Sequence, residues 1–204
     1  MSTPDSPPIQ PVAERLQAQA VDQIDRLGPI SSGPRLIAID GRSGTGKSTL
    51  AVQLARHLGA TLVSGDDFFA GGTAVLDLDD ASLADICIDR ARLRDVLGTL
   101  KSGWTATYKP FDWDAFDGSL APVQTRLLPG PFLIVEGAYS THPDLRPLID
   151  IAVLVDLPAA DRESRLIARE GHLGPWERQW HRAEDWYFNQ LVPRENFDVR
   201  IVNV

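Results

Sequence analysis

The sequence predicts an α/β domain of three layers, in which a mostly parallel five-stranded sheet carries helices on both faces. Three observations predict it. Short apolar runs recur at Leu36–Asp40, Thr61–Ser64, Phe132–Glu136, Ile151–Asp156 and Val199–Val202; runs that stay apolar without alternating suit strands buried on both faces. Segments of helical character, 46–58, 89–102, 159–170 and 176–191, separate most of these runs, and such alternation leads to right-handed crossovers and a parallel sheet. Finally, the chain has 204 residues, 43% of them hydrophobic and 24% charged, which suits one domain with a core of its own.

Residues 1–8 are rich in Ser, Thr and Pro and read as a disordered tail. Ile9, Val12, Leu16, Ala20, Ile24 and Leu27 recur at helical spacing, so an amphipathic N-terminal helix is expected within 9–30, ahead of the main domain at 35–204. Gly28-Pro29 stops that helix and Ser31-Ser32-Gly33-Pro34 makes a turn. No apolar run approaches the ~20 residues of a membrane span. The first residues lack the basic start and apolar stretch of a signal peptide. A single cysteine, Cys87, excludes an internal disulfide framework and any multi-Cys zinc cluster. These features make a cytoplasmic, reducing location the expectation, with no membrane partner.

Twenty Lys+Arg against 28 Asp+Glu give a net charge of −8, which argues against a nucleic-acid partner, because backbone binding needs many cations. The lysines are Lys47, Lys101 and Lys109. Between Arg56 and Arg90 the only charged side chains are aspartates (66, 67, 77, 79, 80, 85 and 89). That stretch reads either as a solvated loop or as a face for magnesium or a polar neutral substrate. Self-association is left open.

The decisive motif is Gly41-Arg42-Ser43-Gly44-Thr45-Gly46-Lys47-Ser48, followed by Thr49. It fits G-x-x-x-x-G-K-[ST], the Walker A pattern, and lies between an apolar strand and a helical run, the context that makes the pattern a P-loop. A chance match at this composition is about 1 in 500. Glycines let successive backbone N–H groups converge on one anion-sized hollow, and the helix start adds its positive end. Lys47 then reaches the outer phosphates and the Ser48 hydroxyl is a ligand for Mg²⁺. Residues 41 and 43–49 are thus the expected nucleotide contacts. No Asn-Lys-x-Asp guanine reader and no Leu-Ser-Gly-Gly-Gln transporter signature occurs.

Asp66 and Asp67 follow the second apolar run, in Val63-Ser-Gly-Asp66-Asp67-Phe-Phe69. Ligands of open parallel sheets gather at the carboxyl ends of strands, which puts this pair beside the phosphate loop. A carboxylate there is suited to orient an alcohol and accept its proton; an Asx turn or helix N-cap is the other reading of the same residues.

These segments together resemble the uridine kinase/phosphoribulokinase-like group of P-loop kinases, which includes nicotinamide riboside kinases. The resemblance runs over about residues 35–202. Beyond the P-loop and the Asp-Asp-Phe-Phe segment, Tyr108-Lys-Pro-Phe111-Asp112-Trp113 resembles the family's Tyr-Asp-Phe segment, and Leu133-Ile-Val-Glu136-Gly137 resembles its strand ending in Glu-Gly. Ile149–Asp156 resembles the next strand, and Arg162, Arg165, Arg169 and Glu170 resemble an Arg-rich lid at about 159–175. The resemblance implies an ATP-dependent kinase of a small hydroxylated metabolite, a nucleoside or riboside, with ATP and Mg²⁺ as donor and cofactor. It implies Asp66 as catalytic base, Asp67 and Glu136 near the metal, and Arg165 and Arg169 closing on the phosphates. Tyr108, Phe111, Asp112 and Trp113 are the acceptor-side candidates. Two positions depart from the family: Phe116 stands where uridine kinases carry a His that helps recognise the base, and Phe111 where they carry a Tyr. The aspartate for an acceptor ribose is ambiguous among Asp77, Asp79, Asp80 and Asp85.

Three smaller readings complete the sequence. Trp176, Trp180, Ala183, Tyr187 and Leu191 form one helical stripe, read as core, with Trp176 or Trp180 capping an acceptor pocket as the other option. The aromatic cluster Trp104–Trp113 suits stacking on a planar ring and packing on the sheet equally well. The four histidines have neither metal-ligand spacing nor a nucleophile partner. A nucleotide-dependent switch or assembly protein, with the N-terminal helix as its contact surface, is the alternative functional class.

Overall fold

The structure, a computed structural model, describes residues 9–26 and 33–203, with side chains from residue 14 onward. The predicted tail at 1–8, the Gly28-Pro29 stop and the Ser31-Ser32 part of the turn lie outside the described residues.

Five parallel strands form the central sheet: β1 (Arg35–Asp40), β2 (Thr61–Ser64), β5 (Phe132–Glu136), β6 (Ile151–Asp156) and β7 (Val199–Val202), in the order β2-β5-β1-β6-β7. The central strands β1, β5 and β6 are almost wholly buried, which is why they read as continuous apolar runs. The remaining two strands, β3 (Ala106–Tyr108) and β4 (Thr125–Leu127), make a separate antiparallel pair.

Side-chain alternation sorts the strands' residues to two cores. On one face Ile37, Ile39, Ile134, Ile151, Val153 and Ile201 meet Leu50 and Leu54 of α2 (Lys47–Leu58) and Leu16, Ala20 and Ile24 of α1 (Ile9–Arg26). The N-terminal helix is therefore docked on the sheet through the stripe its spacing foretold. On the other face Leu36, Ala38, Leu133, Val135 and Leu154 meet α3 (Asp80–Ile86), α4 (Arg90–Lys101) and α6 (Pro175–Trp186). The remaining helix, α5 (Ala159–Glu170), fully buries Leu166 alone and carries Arg162, Arg165 and Arg169. Among the described residues no helix is long and apolar enough to cross a membrane.

The acidic stretch 77–89 turns out to be structural. Asp79 and Asp89 cap α3 and α4 by accepting the Ser82 and Arg92 backbone N–H groups. Asp80 and Asp85 pair with Arg182 and Arg90. The solvated reading holds for these residues, and the sought acceptor contact among Asp77, Asp79, Asp80 and Asp85 is not found in the main cavity.

The predicted helix 176–191 is α-helical only to Trp186. Tyr187–Leu191 forms a π-helical turn, closed by the Val192 N–H donating to the Tyr187 carbonyl at 2.8 Å. The wider turn buries both Tyr187 and Phe188, which a regular helix would send to different sides.

Candidate active site

Parallel pairing brings the functional segments to one level. Ile39 is in register with Glu136, and Glu136 with Ser64, so the loops leaving β1, β2 and β5 open at the same carboxyl edge. They enclose a cavity of about 730 Å³ together with α5 and α6.

The loop 41–46 wraps the start of α2. Gly41 has φ 150° and lies so close to β6 that a Cβ there would meet the Val155 carbonyl oxygen at 2.2 Å. Gly44 and Gly46 also take positive φ; a Cβ on Gly46 would sit 2.8 Å from the Asn203 amide nitrogen. These are positions only glycine fills without strain. Thr45 is fully buried, its hydroxyl donating to the Arg42 carbonyl and its own carbonyl accepting from Asn203 Nδ2 at 2.8 Å. The Lys47 ammonium donates to the Arg42 carbonyl at 3.0 Å, bridging the loop's mouth.

Of the predicted nucleotide contacts, Ser43, Gly44, Gly46, Lys47, Ser48 and Thr49 line the cavity, while Gly41 and Thr45 lie behind and shape the turn. Asp66, Glu136, Arg165 and Arg169 line the same cavity. Ser48 donates its hydroxyl proton to Glu136 Oε2 at 3.0 Å. Glu136 is held above the usual carboxylate range by burial and by the neighbouring Asp66 charge, with the Ser48 hydrogen bond and Lys47 pulling the other way. Asp66 is open to the cavity yet ringed by protein. That partial desolvation raises its pKa, Lys47 and Arg169 oppose the rise, and Asp67 adds to it.

Asp66 and Asp67 part company because the turn Gly65–Phe68 is a tight 3₁₀ turn. Asp66 faces the cavity. Asp67 instead accepts the Tyr108 hydroxyl at 2.7 Å, and its carbonyl accepts the Phe111 N–H. Asp67, expected near the metal with Glu136, is not among the cavity's lining residues, whereas Glu136 and Asp66 are. No group of three or more His, Cys, Asp or Glu suited to a metal occurs among the described residues. The oxygen donors present, one serine hydroxyl and two carboxylates beside a phosphate loop, fit Mg²⁺, which keeps most of its waters and binds through few protein ligands plus phosphate oxygens.

Of the four acceptor-side candidates, Tyr108, Phe111, Asp112 and Trp113, the last alone lines the cavity. Tyr108 is spent on Asp67, Phe111 is buried against Phe69 and Trp113, and Asp112 caps its own loop by accepting the Asp114 and Ala115 N–H groups. Those three candidates therefore support the wall without forming it. The wall is built from Phe69, Trp113, Trp176 and Trp180, with Phe116 behind it, stacked on Phe69 and edge-on to Trp176. Along the helical stripe Ala183 and Tyr187 are buried core, and Trp176 and Trp180 pack against that core while also lining the cavity.

The sequence reading missed three groups. His181 lines the cavity, one helical residue on from Trp180. Asp40, at the end of β1, is fully buried and accepts from the Gly41, Tyr139 and Thr141 N–H groups and the Thr141 and Tyr187 hydroxyls. Burial raises its pKa against the pull of the Thr141 and Gly41 hydrogen bonds. Glu184 on α6 accepts from Ser43. An acid closing the strand just before the phosphate loop was the available signal for Asp40; Glu184 gave none.

No protein-family profile matches the chain. Solved structures do share its fold. A possible uridine kinase from Bacillus stearothermophilus superposes with a TM-score of 0.68 at 21% identity, over 92% of this chain and 99% of its own. A putative fructose transport system kinase from a Silicibacter species gives 0.66 at 24% identity, covering 91% and 98%. D-glycerate 3-kinase from Cryptococcus neoformans gives 0.58 at 14% identity, covering 93% and 94%. The chain thus shares the three-layer α/β fold of these solved structures, with its five-stranded parallel sheet between helices, as the sequence predicted.

Proposed function

We propose that this protein is an ATP-dependent phosphotransferase that moves the γ-phosphoryl group to a hydroxyl of a small metabolite bearing a planar ring, a nucleoside or riboside. One observation carries the reading: Lys47, Ser48, Asp66, Glu136, Arg165 and Arg169 share a single cavity whose far wall is aromatic. The structural neighbours described as kinases of uridine, a fructose transport system and glycerate support phosphoryl transfer in general and leave the acceptor to the cavity itself.

In this reading the backbone N–H groups of the turn and Lys47 hold the triphosphate, and Asp66 accepts the acceptor's hydroxyl proton as the oxygen approaches the γ-phosphorus. Bound Mg²⁺, held by Ser48 with Glu136 nearby, would neutralise phosphate charge. Arg165 and Arg169 spread guanidinium donors over the transferring group. Phe69, Trp113, Trp176 and Trp180 offer faces and edges to a flat ring and few hydrogen-bond partners. That wall favours a ring-bearing alcohol over a small sugar acid. Phe116, where a base-reading His stands in uridine kinases, moves recognition further toward stacking.

The test is ATP consumption measured against a panel of nucleosides, ribosides, pantothenate-like alcohols and sugars. A ring-bearing alcohol should accelerate it; slow hydrolysis indifferent to every alcohol but responsive to a protein partner would favour the switch class instead. Trp113→Ala or Trp176→Ala should raise the acceptor KM by about tenfold, the scale of one lost stacking contact, and leave the KM for ATP within about twofold. Equal shifts in both constants would contradict the assignment of this wall to the acceptor.

The pH profile follows from the same carboxylate. A base must be deprotonated, so the acid limb of kcat should lie above the ordinary Asp range near ~4. Arg169 opposes the rise in Asp66; Arg169→Gln should therefore move the limb to still higher pH, and a shift to lower pH would refute Asp66 as the titrating base.

A further inference from the structure

We infer that Glu184 is a positioning residue whose carboxylate ties the phosphate-binding turn to the aromatic wall and to the arginine helix, so that ATP affinity depends on a side chain outside the nucleotide cavity. The inference rests on the reading that residues 41–48 hold ATP, and on nothing about the acceptor.

Glu184 is fully buried on α6. One oxygen, Oε1, accepts three hydrogen bonds: from the Ser43 N–H at 2.8 Å, the Ser43 hydroxyl at 2.6 Å and the Trp180 indole N–H at 3.0 Å. Trp180 Nε1 also lies 3.2 Å from the Ser43 hydroxyl oxygen, closing a triangle. The other oxygen, Oε2, accepts no hydrogen bond among the described residues and faces the Arg162 guanidinium at 3.7 Å. Arg162 sits over the loop: a Cβ on Gly44 would meet its carbonyl oxygen at 3.2 Å and its Cγ at 3.3 Å.

A buried carboxylate is costly unless its partners are fixed. Here those partners are a member of the phosphate turn, a wall of the acceptor side, and the helix that carries Arg165 and Arg169. Core stability alone would be served as well by an apolar side chain in this place. What the carboxylate adds is a fixed orientation of the Ser43 peptide, hence of the N–H groups that follow it in the turn. Asp40 works from the opposite side, binding the Gly41 N–H and the Tyr187 hydroxyl. Ser43 and Gly41 are therefore each held by one buried carboxylate, Ser43 by Glu184 of α6 and Gly41 by Asp40, which also accepts from Tyr187 in the π-helical turn after α6.

A fluorescent ATP analogue, titrated into wild type, Glu184→Gln, Ser43→Ala and the double variant without any acceptor, tests this. Each single change should weaken binding by about tenfold, and the double change no further than the worse single, because groups in one hydrogen-bonded unit are not additive. Melting temperatures measured alongside separate this from loss of fold. Should Glu184→Gln not fold, Trp180→Phe carries the test. It removes one donor to Oε1 and keeps an aromatic ring, and should weaken ATP by about threefold. Unchanged ATP affinity in a folded Glu184→Gln or Trp180→Phe, or strictly additive losses in the cycle, would overturn the inference. ATP binding that obeys the cycle while no alcohol is phosphorylated would leave it standing and remove only the kinase reading.

Discussion

Asp66→Asn should lower phosphoryl transfer by about 10²–10⁴-fold, the range a positioned general base supplies, while ATP affinity stays within about threefold. The amide keeps the shape of the side chain and a hydrogen-bond acceptor for the alcohol, but it cannot take the proton. The same change should raise the melting temperature slightly, by roughly 2 °C. Asp66 is raised by desolvation and by the Asp67 charge, so its contribution to stability is present at low pH and is lost as pH rises through its folded-state pKa. The gain from Asn should therefore be larger at pH 7 than at pH 4. Open to the cavity, the carboxylate is partly screened, which keeps the gain small. Equal loss of ATP binding and transfer would show that Asp66 serves the nucleotide and not the acceptor.

Gly41→Ala should be the most damaging glycine-to-alanine change among the described residues. Its Cβ would fall 2.2 Å from the Val155 carbonyl oxygen at a φ of 150°, and that oxygen belongs to the buried strand β6, which has no room to retreat. A destabilisation of about 2–4 kcal/mol is expected from the urea midpoint, together with loss of ATP binding, because relief of the clash must displace the turn. Gly98→Ala is the control. Gly98 lies inside α4 without positive φ and with nothing within 4 Å of the added carbon; it should stabilise by about 0.5–1 kcal/mol. A mild effect at Gly41 would mean that the turn adapts more readily than its packing implies.

The parts of the molecule legible in the sequence are those where local chemistry and tertiary position coincide. Lys47 and Ser48 announce themselves because a phosphate turn needs glycines, a cation and a hydroxyl at fixed spacing. Leu36–Asp40 and Ile151–Asp156 read as strands because burial on both faces forbids polar alternation. Asp66 could be placed beside the phosphate turn because it follows the end of a parallel strand, and Glu136 because the family resemblance implied it. Where several elements compete for a residue, the pattern fell silent. Tyr108 and Asp112 carry groups suited to a ligand, yet a neighbouring acid and a loop's own N–H groups claim them first. The strands β3 and β4 have three residues each and pair away from the main sheet, too short for a period to register. The stripe through Trp176, Trp180, Ala183 and Tyr187 is continuous along the helix, but the molecule's wall ends halfway down it, so its first half lines the cavity while packing on the core and its second half is buried in that core. Glu184 looks like any solvated acid until the fold lays α6 against the turn at Ser43.

A structure with a non-hydrolysable ATP analogue and magnesium probes the kinase mechanism most directly. The γ-phosphate should lie between Lys47 and the arginines of α5, with the Asp66 carboxylate across a gap that admits one hydroxyl oxygen in line with the phosphorus. A terminal phosphate lodged elsewhere, or a carboxylate turned from it with no space between, would contradict the mechanism.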